Sequence, residues 1–340
     1  MMERRRFTAS LLASAGLATT GLATSGLALP RAARAQAPPD GWPARPVRVI
    51  YPTGPGGPSD NFRLYADHLK AAFGQSFVGE NMAGGSGAIG ATAVARAAPD
   101  GYTLLVGSNS ATVLAPLVFE KHTINMKRDF VPVALLFNYR FLLVVNPELP
   151  VKSLAEFIAY AKAHRGELNY GSPGIGTGGH LVTSLLLKRA GIDAVHVPYQ
   201  ATTQQLLAAA GGHLHFTFDT VGNARGLVEG GKVRPLAVTG VGRAAAMPEV
   251  PNFDELGFPG FSGLFVSTSM LAPAGTPPAI VAALNREMVR CQSEPDVKAR
   301  LEQGSYEPGL FSVDEMVTFF DNDIKNWSQV VRETGVHIKA

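Results

Sequence analysis

A short apolar run stops at a loop of glycine, proline and serine, restarts as a helical pattern, and does so again and again along this sequence. Val47-Arg48-Val49-Ile50-Tyr51 reads as a buried strand, and Pro52-Thr53-Gly54-Pro55-Gly56-Gly57-Pro58-Ser59-Asp60 follows it. Phe62, Tyr65, Leu69 and Phe73 then recur at helical spacing. Ser76–Gly79 is a short strand, and Gly84–Gly90 opens an Ala-rich helix that runs to about Ala97. The strand Tyr102–Val106 ends in Gly107-Ser108-Asn109-Ser110, ahead of a helical stretch over 111–119. Strand ends that each feed a polar loop and a helix are βαβ units, which build an open parallel sheet with ligands beyond the carboxyl ends of its strands.

The rhythm resumes in the middle of the chain. Leu168-Asn169-Tyr170 is a strand, Gly171–His180 its loop and Leu181–Arg189 the next helix. Ala194–Val197 ends in Pro198-Tyr199-Gln200 before a helix over 204–210, and Leu214–Phe218 ends at Asp219-Thr220. Arg234–Val238 is a further strand. Between the two blocks lie the β-rich runs Val131–Phe137 and Phe141–Val145, separated by Asn138-Tyr139-Arg140. Residues 247–261 are a Pro- and Gly-rich connection, Phe265–Leu271 crosses back, and helices over 277–291, 295–301 and 313–334 finish the chain. The expected fold class is α/β, with two doubly wound lobes joined by crossing β-strands. Residues 41–140 begin the first lobe, 141–245 form the second, and 246–340 return to the first.

Charge argues against several function classes. Arg4-Arg5-Arg6-Phe7, the apolar run Leu11–Leu29 and Ala33-Arg34-Ala35 together read as an export signal over residues 1–35, of a twin-arginine kind except that Glu3 stands where Ser or Thr is usual. A membrane anchor left uncleaved is the alternative for that run. Without it, Lys+Arg falls from 30 to 25 and Asp+Glu from 27 to 26, so the formal charge drops from +3 to −1. The apparent basicity belongs to the leader, and no Lys/Arg stripe marks a nucleic-acid face. Cys291, the one cysteine, can form no internal disulfide.

The motifs that carry chemistry are weak, and those that hold anions are abundant. Gly85-Ser86-Gly87-Ala88-Ile89-Gly90 and Gly174-Ile175-Gly176-Thr177-Gly178-Gly179 both match G-x-G-x-x-G. A dinucleotide site also needs an acid at the end of the next strand, and Gly107-Ser108 and Pro198-Tyr199 offer none, so no cofactor is expected. His213 and His215 have no carboxylate or Cys at ligand spacing and read as solvated or packing residues, so no metal is expected either. No nucleophile elbow exists, and His180 has neither nucleophile nor orienting acid beside it, so it reads as structural. Glycine loops at helix N-termini offer unpaired N–H groups and partial positive charge, which suits a carboxylate or phosphate. Hydroxyls of Ser86, Ser108, Ser172 and Thr177 add donors. Tyr199 reads equally as a ligand cap or as packing, and Asp219 as an acceptor for a ligand donor or as the N-cap of the next helix. The balance favours a binder over an enzyme.

At these residues the sequence resembles a known family, the solute-binding proteins of the tripartite tricarboxylate transporters, also called the Bug or TctC family. The resemblance runs from about Trp42 to the C-terminus. It rests on Pro55-Gly56-Gly57-Pro58-Ser59-Asp60, Ala98-Pro99-Asp100-Gly101-Tyr102, Leu143-Val144-Val145-Asn146-Pro147, His196-Val197-Pro198-Tyr199, Phe218-Asp219, Leu236-Ala237-Val238-Thr239 and Leu271–Pro277, taken in order. It implies a periplasmic protein of the type II periplasmic-binding fold, a Venus-flytrap hinge, a small carboxylate as ligand and a two-subunit integral membrane permease as partner. The resemblance also implies that the loops matching Pro55–Asp60 and Gly84–Gly90 hold one carboxylate, partly through waters, while Ser172–His180 closes from the other lobe. The sequence departs from the family at Asn81-Met82-Ala83 (usually Asn-Arg-Pro) and at Gln200-Ala201 (usually Lys-Gly), which leaves ligand identity open. Arg140, where the family tends to be apolar, reads as a surface arginine or as the partner of a distal carboxylate, which would make the ligand a dicarboxylate or aromatic acid.

The expected ligand-binding residues from the first lobe are therefore Thr53, Pro55, Gly56, Gly57, Ser59, Asp60, Ser86, Gly87, Ser108, Asn109 and Arg140. The second lobe gives Ser172, Gly174, Gly176, Thr177, His180, Tyr199 and Asp219. No catalytic residue is expected, and the chain is read as a monomer. A hydrolase or lyase on the same scaffold, and a periplasmic sensor, are the alternatives.

Overall fold

The computed structural model describes residues 41–54, 61–199 and 201–339. The expectations placed on the leader over 1–35 and on Pro55, Gly56, Gly57, Ser59 and Asp60 lie outside the described residues.

Val47–Tyr51 (β1), Phe77–Asn81 (β2) and Thr103–Ser108 (β3) form the parallel start of a sheet, with β1 central. Their order follows from the sequence: β1 and β3 are apolar runs that bury both faces, whereas β2 exposes Val78–Asn81 and lies at the edge. The helix Arg63–Phe73 (α1) connects β1 to β2 and stops at Gly74 in the left-handed region. Ala88–Ala95 (α2) connects β2 to β3. Phe265–Pro273 (β9) runs antiparallel between β3 and Phe130–Val145 (β4).

The 16-residue strand β4 organises the molecule. Its first part, through Arg140, pairs with β9, and Phe141–Val145 pairs with Phe216–Thr220 (β7) and Arg234–Val238 (β8). Asn169–Ser172 (β5) and Val195–Pro198 (β6) extend the second half in parallel from β7. The sequence reading split this strand at Asn138-Tyr139-Arg140, and that is corrected here. Each of the three takes a ladder partner on β9, and the polar heads are accommodated because the strand there leaves one half of the sheet for the other. Other elements escaped the sequence as well, the single turn Met126–Asp129 among them. Val221–Glu229 (α8) carries Gly222 and Gly226, which weaken its helical signal. Glu307–Gly309 (β10) looks like a turn, yet it pairs with β4, and its Gly309 lies where a Cβ would overlap Leu135.

The helices Leu154–Ala163 (α5), Gly178–Ala190 (α6), Thr202–Ala210 (α7), Pro278–Gln292 (α9), Pro295–Gln303 (α10) and Val313–Thr334 (α11) cover the sheet, with two single turns, Ala115–Val118 (α3) and Met126–Asp129 (α4), between β3 and β4. Helix α11 starts at a capping box between Ser312 and Glu315 and ends at Gly335. Its Trp327 is fully buried, edge-on to Phe141 at 6.5 Å. The same helix reaches α6, where Glu333 pairs with Arg189 at 2.7 Å. The connection over 247–261 is itself packed: Met247 and Val250 join Leu142 and Val144 in one buried cluster, and Phe253 stacks on Phe218 and Phe261.

Candidate functional site

The ends of β1 and β3 and the turn before α2 meet at Pro52. A Cβ on Gly107 would stand 2.8 Å from the Pro52 ring, and one on Gly90 3.0 Å from its Cα. Asn81 ties the loop down by donating from Nδ2 to Thr53 O at 3.0 Å. Gly84, Gly85, Ser86 and Gly87 all have positive φ (129°, 55°, 55° and 93°). A run of left-handed residues turns successive N–H groups toward one concave side, which is how a backbone receives an anion. Gly87 N–H and Ile89 N–H close the turn on Gly84 O at 3.0 and 3.4 Å, and α2 begins there with no side-chain cap. Gly87 must be glycine for a second reason: a Cβ would overlap Ala111.

Ser108 ends β3 half-buried. Asn109 is buried, and its amide is spent inward. Nδ2 donates to Asp323 (3.1 Å) and to Phe265 O (3.2 Å), while Oδ1 receives Ser267 N–H (3.4 Å). Burial pushes the Asp323 carboxyl up to about 7, against the opposing hydrogen bond from Asn109.

In the other half, the loop after β5 is held from within. Ser172 is fully buried. Its Oγ lies 3.2 Å from Gly174 O, receives Gly174 N–H at 3.3 Å and stands 2.7 Å from His196 Nε2. Thr177 donates from Oγ1 to Gly174 O at 2.8 Å, and Gly176 N–H reaches His180 Nδ1 at 3.4 Å. Burial first, then the neighbouring His196, lowers the His180 imidazole to about 4, so it is neutral at pH 7 and can accept that bond. Tyr199 N–H is bound to Ser172 O, and the Tyr199 ring packs on the Leu142 cluster. Asp219 is buried at the end of β7: Oδ1 takes Thr220 N–H (2.6 Å) and Asn223 Nδ2 (3.0 Å), with Gln205 Nε2 at 3.5 Å from Oδ2. Burial, offset by these donors, raises it to about 6.

Residues 110–119 bring the two sets together. The Gly87 turn rests on Ala111. From the other side, Cβ atoms on Gly176 and Gly178 would stand 2.9 Å from Val118 and 3.7 Å from Leu114, and Gly178 also faces Phe141 at 2.7 Å. Both glycine loops thus sit on one short segment, one from each half of the sheet. A second approach occurs where Gly222, at the start of α8, meets Gly304 O with no room for a Cβ.

Arg140 lies apart from the glycine loops. Its Nε donates to Glu307 at 2.5 Å and its Nη1 to the carbonyls of Val241 and Gly242, both at 2.9 Å. It floors a cavity of about 380 Å³ between α8, Ala244–Ala246 and the turn before β10, with Tyr306 on its wall. Tyr306 stacks on Phe137 at 4.4 Å and accepts from Asn61 at 3.2 Å. The sequence reading gave no role to His196 or Tyr306. His196 was visible only as part of the family-like run His196-Val197-Pro198-Tyr199, and Tyr306 carried no signal at all, because its partners are about 170 and 245 residues away along the chain. Among the described residues, no three His, Cys, Asp or Glu side chains group as a metal site, and no helix is long and apolar enough to cross a membrane.

A family model described as tripartite tricarboxylate transporter family receptor, TctC, matches residues 61–336. BugT of Bordetella pertussis is 35% identical over 305 residues, which cover 88% of this chain and 92% of BugT. Rpa4515 of R. palustris, solved with adipate, superposes with a TM-score of 0.77 at 34% identity, covering 86% of this chain and 98% of that one. MatC from Rhodopseudomonas palustris, with bound malate, gives 0.73 at 34% identity, over 85% and 100%. The two-lobed periplasmic-binding fold expected from the sequence is therefore the fold of this protein, and the chain belongs to the TctC family of tripartite tricarboxylate transporter receptors.

Proposed function

We propose that this chain is a periplasmic receptor that takes a small organic acid between its two lobes and delivers it to a two-subunit membrane permease. The observation that carries the reading is the seating of both glycine loops on residues 110–119. Main-chain N–H groups around Ser86 and Gly87 receive one carboxylate, together with Thr53, the 55–60 loop and the Ser108 hydroxyl. The loop Ser172–His180, shaped by Gly174, Gly176 and Thr177, closes over it. Tyr199 and Asp219 stand at the ends of β6 and β7, on either side of β5, where a buried acid suits a ligand hydroxyl or a bridging water better than a second carboxylate. Asn109 supports the first lobe from behind through Asp323.

Adipate and malate in the two related structures make dicarboxylates the first class to test. A distal carboxylate at Arg140 would have to exchange with Glu307, whose Oε1 already holds the guanidinium. Ligands whose far end carries hydroxyls or a ring avoid that competition. The test is a thermal-shift screen over mono-, di- and tricarboxylates, adipate and malate included. A true ligand raises the melting temperature progressively with concentration, by an amount equivalent to ~2.7 kcal/mol at a hundredfold excess over Kd. A flat response to every acid overturns the reading.

A further inference from the structure

The loop that closes from the second lobe contains no charged residue, yet it must hold one shape to present its N–H groups. Two imidazoles sit directly behind it. His196, on β6, lies flat against Tyr170 with ring centroids 4.9 Å apart and 25° between planes. On its other side His180, in the first turn of α6, is 4.6 Å away. Each ring addresses a different point of the loop: His196 Nε2 meets Ser172 Oγ at 2.7 Å, and His180 Nδ1 receives Gly176 N–H at 3.4 Å.

The bonds around the Ser172 hydroxyl leave a place for His196. Ser172 Oγ has one hydrogen and two lone pairs. Gly174 N–H occupies one lone pair and Gly174 O stands where it takes the hydrogen, at 3.3 and 3.2 Å. With the hydroxyl hydrogen on Gly174 O, the remaining lone pair is placed to take Nε2–H of His196 in the tautomer that carries it, 2.7 Å away, and the buried serine is then fully paired. We propose that His196 is the positioning residue of the loop that closes from the second lobe, acting through Ser172 on Gly174, with His180 holding Gly176 beside it. This rests on the carboxylate-receptor reading.

Neutrality of the pair is part of the device. The titratable groups facing the rings are the two imidazoles themselves and Tyr170 from β5. A proton on His180 Nδ1 would set a donor against the Gly176 N–H, and two imidazolium rings at this separation would repel. Burial lowers both imidazoles below their ordinary value, so the arrangement stands at neutral pH and weakens on acidification.

The experiment uses the full chain, with adipate and malate as probes, and three variants. His196→Leu removes the donor, His196→Gln restores one at similar reach, and Ser172→Ala removes the relay. Loss of one buried hydrogen bond predicts roughly tenfold weaker binding for His196→Leu and for Ser172→Ala. The double variant should be no weaker than either single one, since both break the same link. His196→Gln should bind within about twofold of the wild type at pH 7.5. Amide hydrogen exchange at residues 174–177 of the ligand-free protein reads the loop without any ligand, and should quicken in His196→Leu but not in His196→Gln. Unchanged exchange, or additive losses in the double variant, overturns the proposal even where the wild type binds well. A wild type that binds no acid, with the exchange pattern as predicted, removes the receptor reading while the positioning of the loop stands. If His196→Leu fails to fold, Ser172→Ala carries the same test, and wild-type affinity in that variant overturns the proposal.

Discussion

Asp323 and His180 are both buried and both shifted, and their contributions to stability run in opposite directions with pH. Burial raises Asp323 to about 7, so in the folded protein it keeps its proton while the unfolded chain has lost it. That contribution is fully present near pH 4 and is lost as pH rises through 7. Burial lowers His180 to about 4. Its contribution is present above the unfolded value of 6.5 and is lost as pH falls toward 4. Between pH 7 and 5 these two slopes therefore oppose each other. Asp323→Asn keeps an acceptor for Asn109 but removes the carboxyl term, whose ceiling is on the order of 4 kcal/mol for a shift of about three pH units. The variant should be at least as stable as the wild type at pH 8 and should fall away from it progressively on acidification, read from urea midpoints across pH 5–8. Equal pH profiles for the two proteins would show that the Asp323 carboxyl is ionised when buried, and would remove this account of the Asn109 contact.

Elements were legible where a local signal sufficed. Helix α11 is legible as Val313–Thr334 because Val313, Met316, Val317 and Phe320 fall on one apolar face, and the structure keeps those bounds. Strand β8 was likewise read as Arg234–Val238. Failures fell where distant residues decide. The β4 strand runs on through Asn138-Tyr139-Arg140 because β9 and Glu307 are there to receive it. The helix α8 is tolerated with two glycines because one of them meets Gly304. The site divides in the same way. Its glycine loops announce themselves by composition, whereas His196 and Tyr306 act through partners brought by the fold. The cap of α11 gives an element-scale test. Ser312 accepts Glu315 N–H while the Glu315 carboxylate takes Ser312 N–H at 2.8 Å, so Ser312→Ala should cost about 1 kcal/mol in chemical denaturation. A change near zero would mean that the packing of Met316 and Phe320 alone fixes the start of the helix.

At the scale of the whole molecule, Gly222 marks a close approach between the β7 side of the sheet and the turn that leads to β10. It lies in α8, on the β7 side of the sheet, and a methyl group there would overlap the carbonyl of Gly304 in the turn that leads to β10. The backbone at Gly222 is helical with negative φ, so alanine adds no local strain and within an isolated helix would gain up to ~1 kcal/mol. The two effects of Gly222→Ala therefore separate. Inside either half the substitution is neutral or stabilising; between the halves it props the contact open. If closure is what holds the ligand, affinity should fall several-fold while the melting temperature of the ligand-free protein stays level or rises, because only the closed population is penalised. Small-angle scattering should then show a larger radius for the variant than for the wild type in saturating ligand, and no difference without it. A variant whose melting temperature drops while its affinity is kept would make Gly222–Gly304 a permanent packing contact and not one that forms on closure.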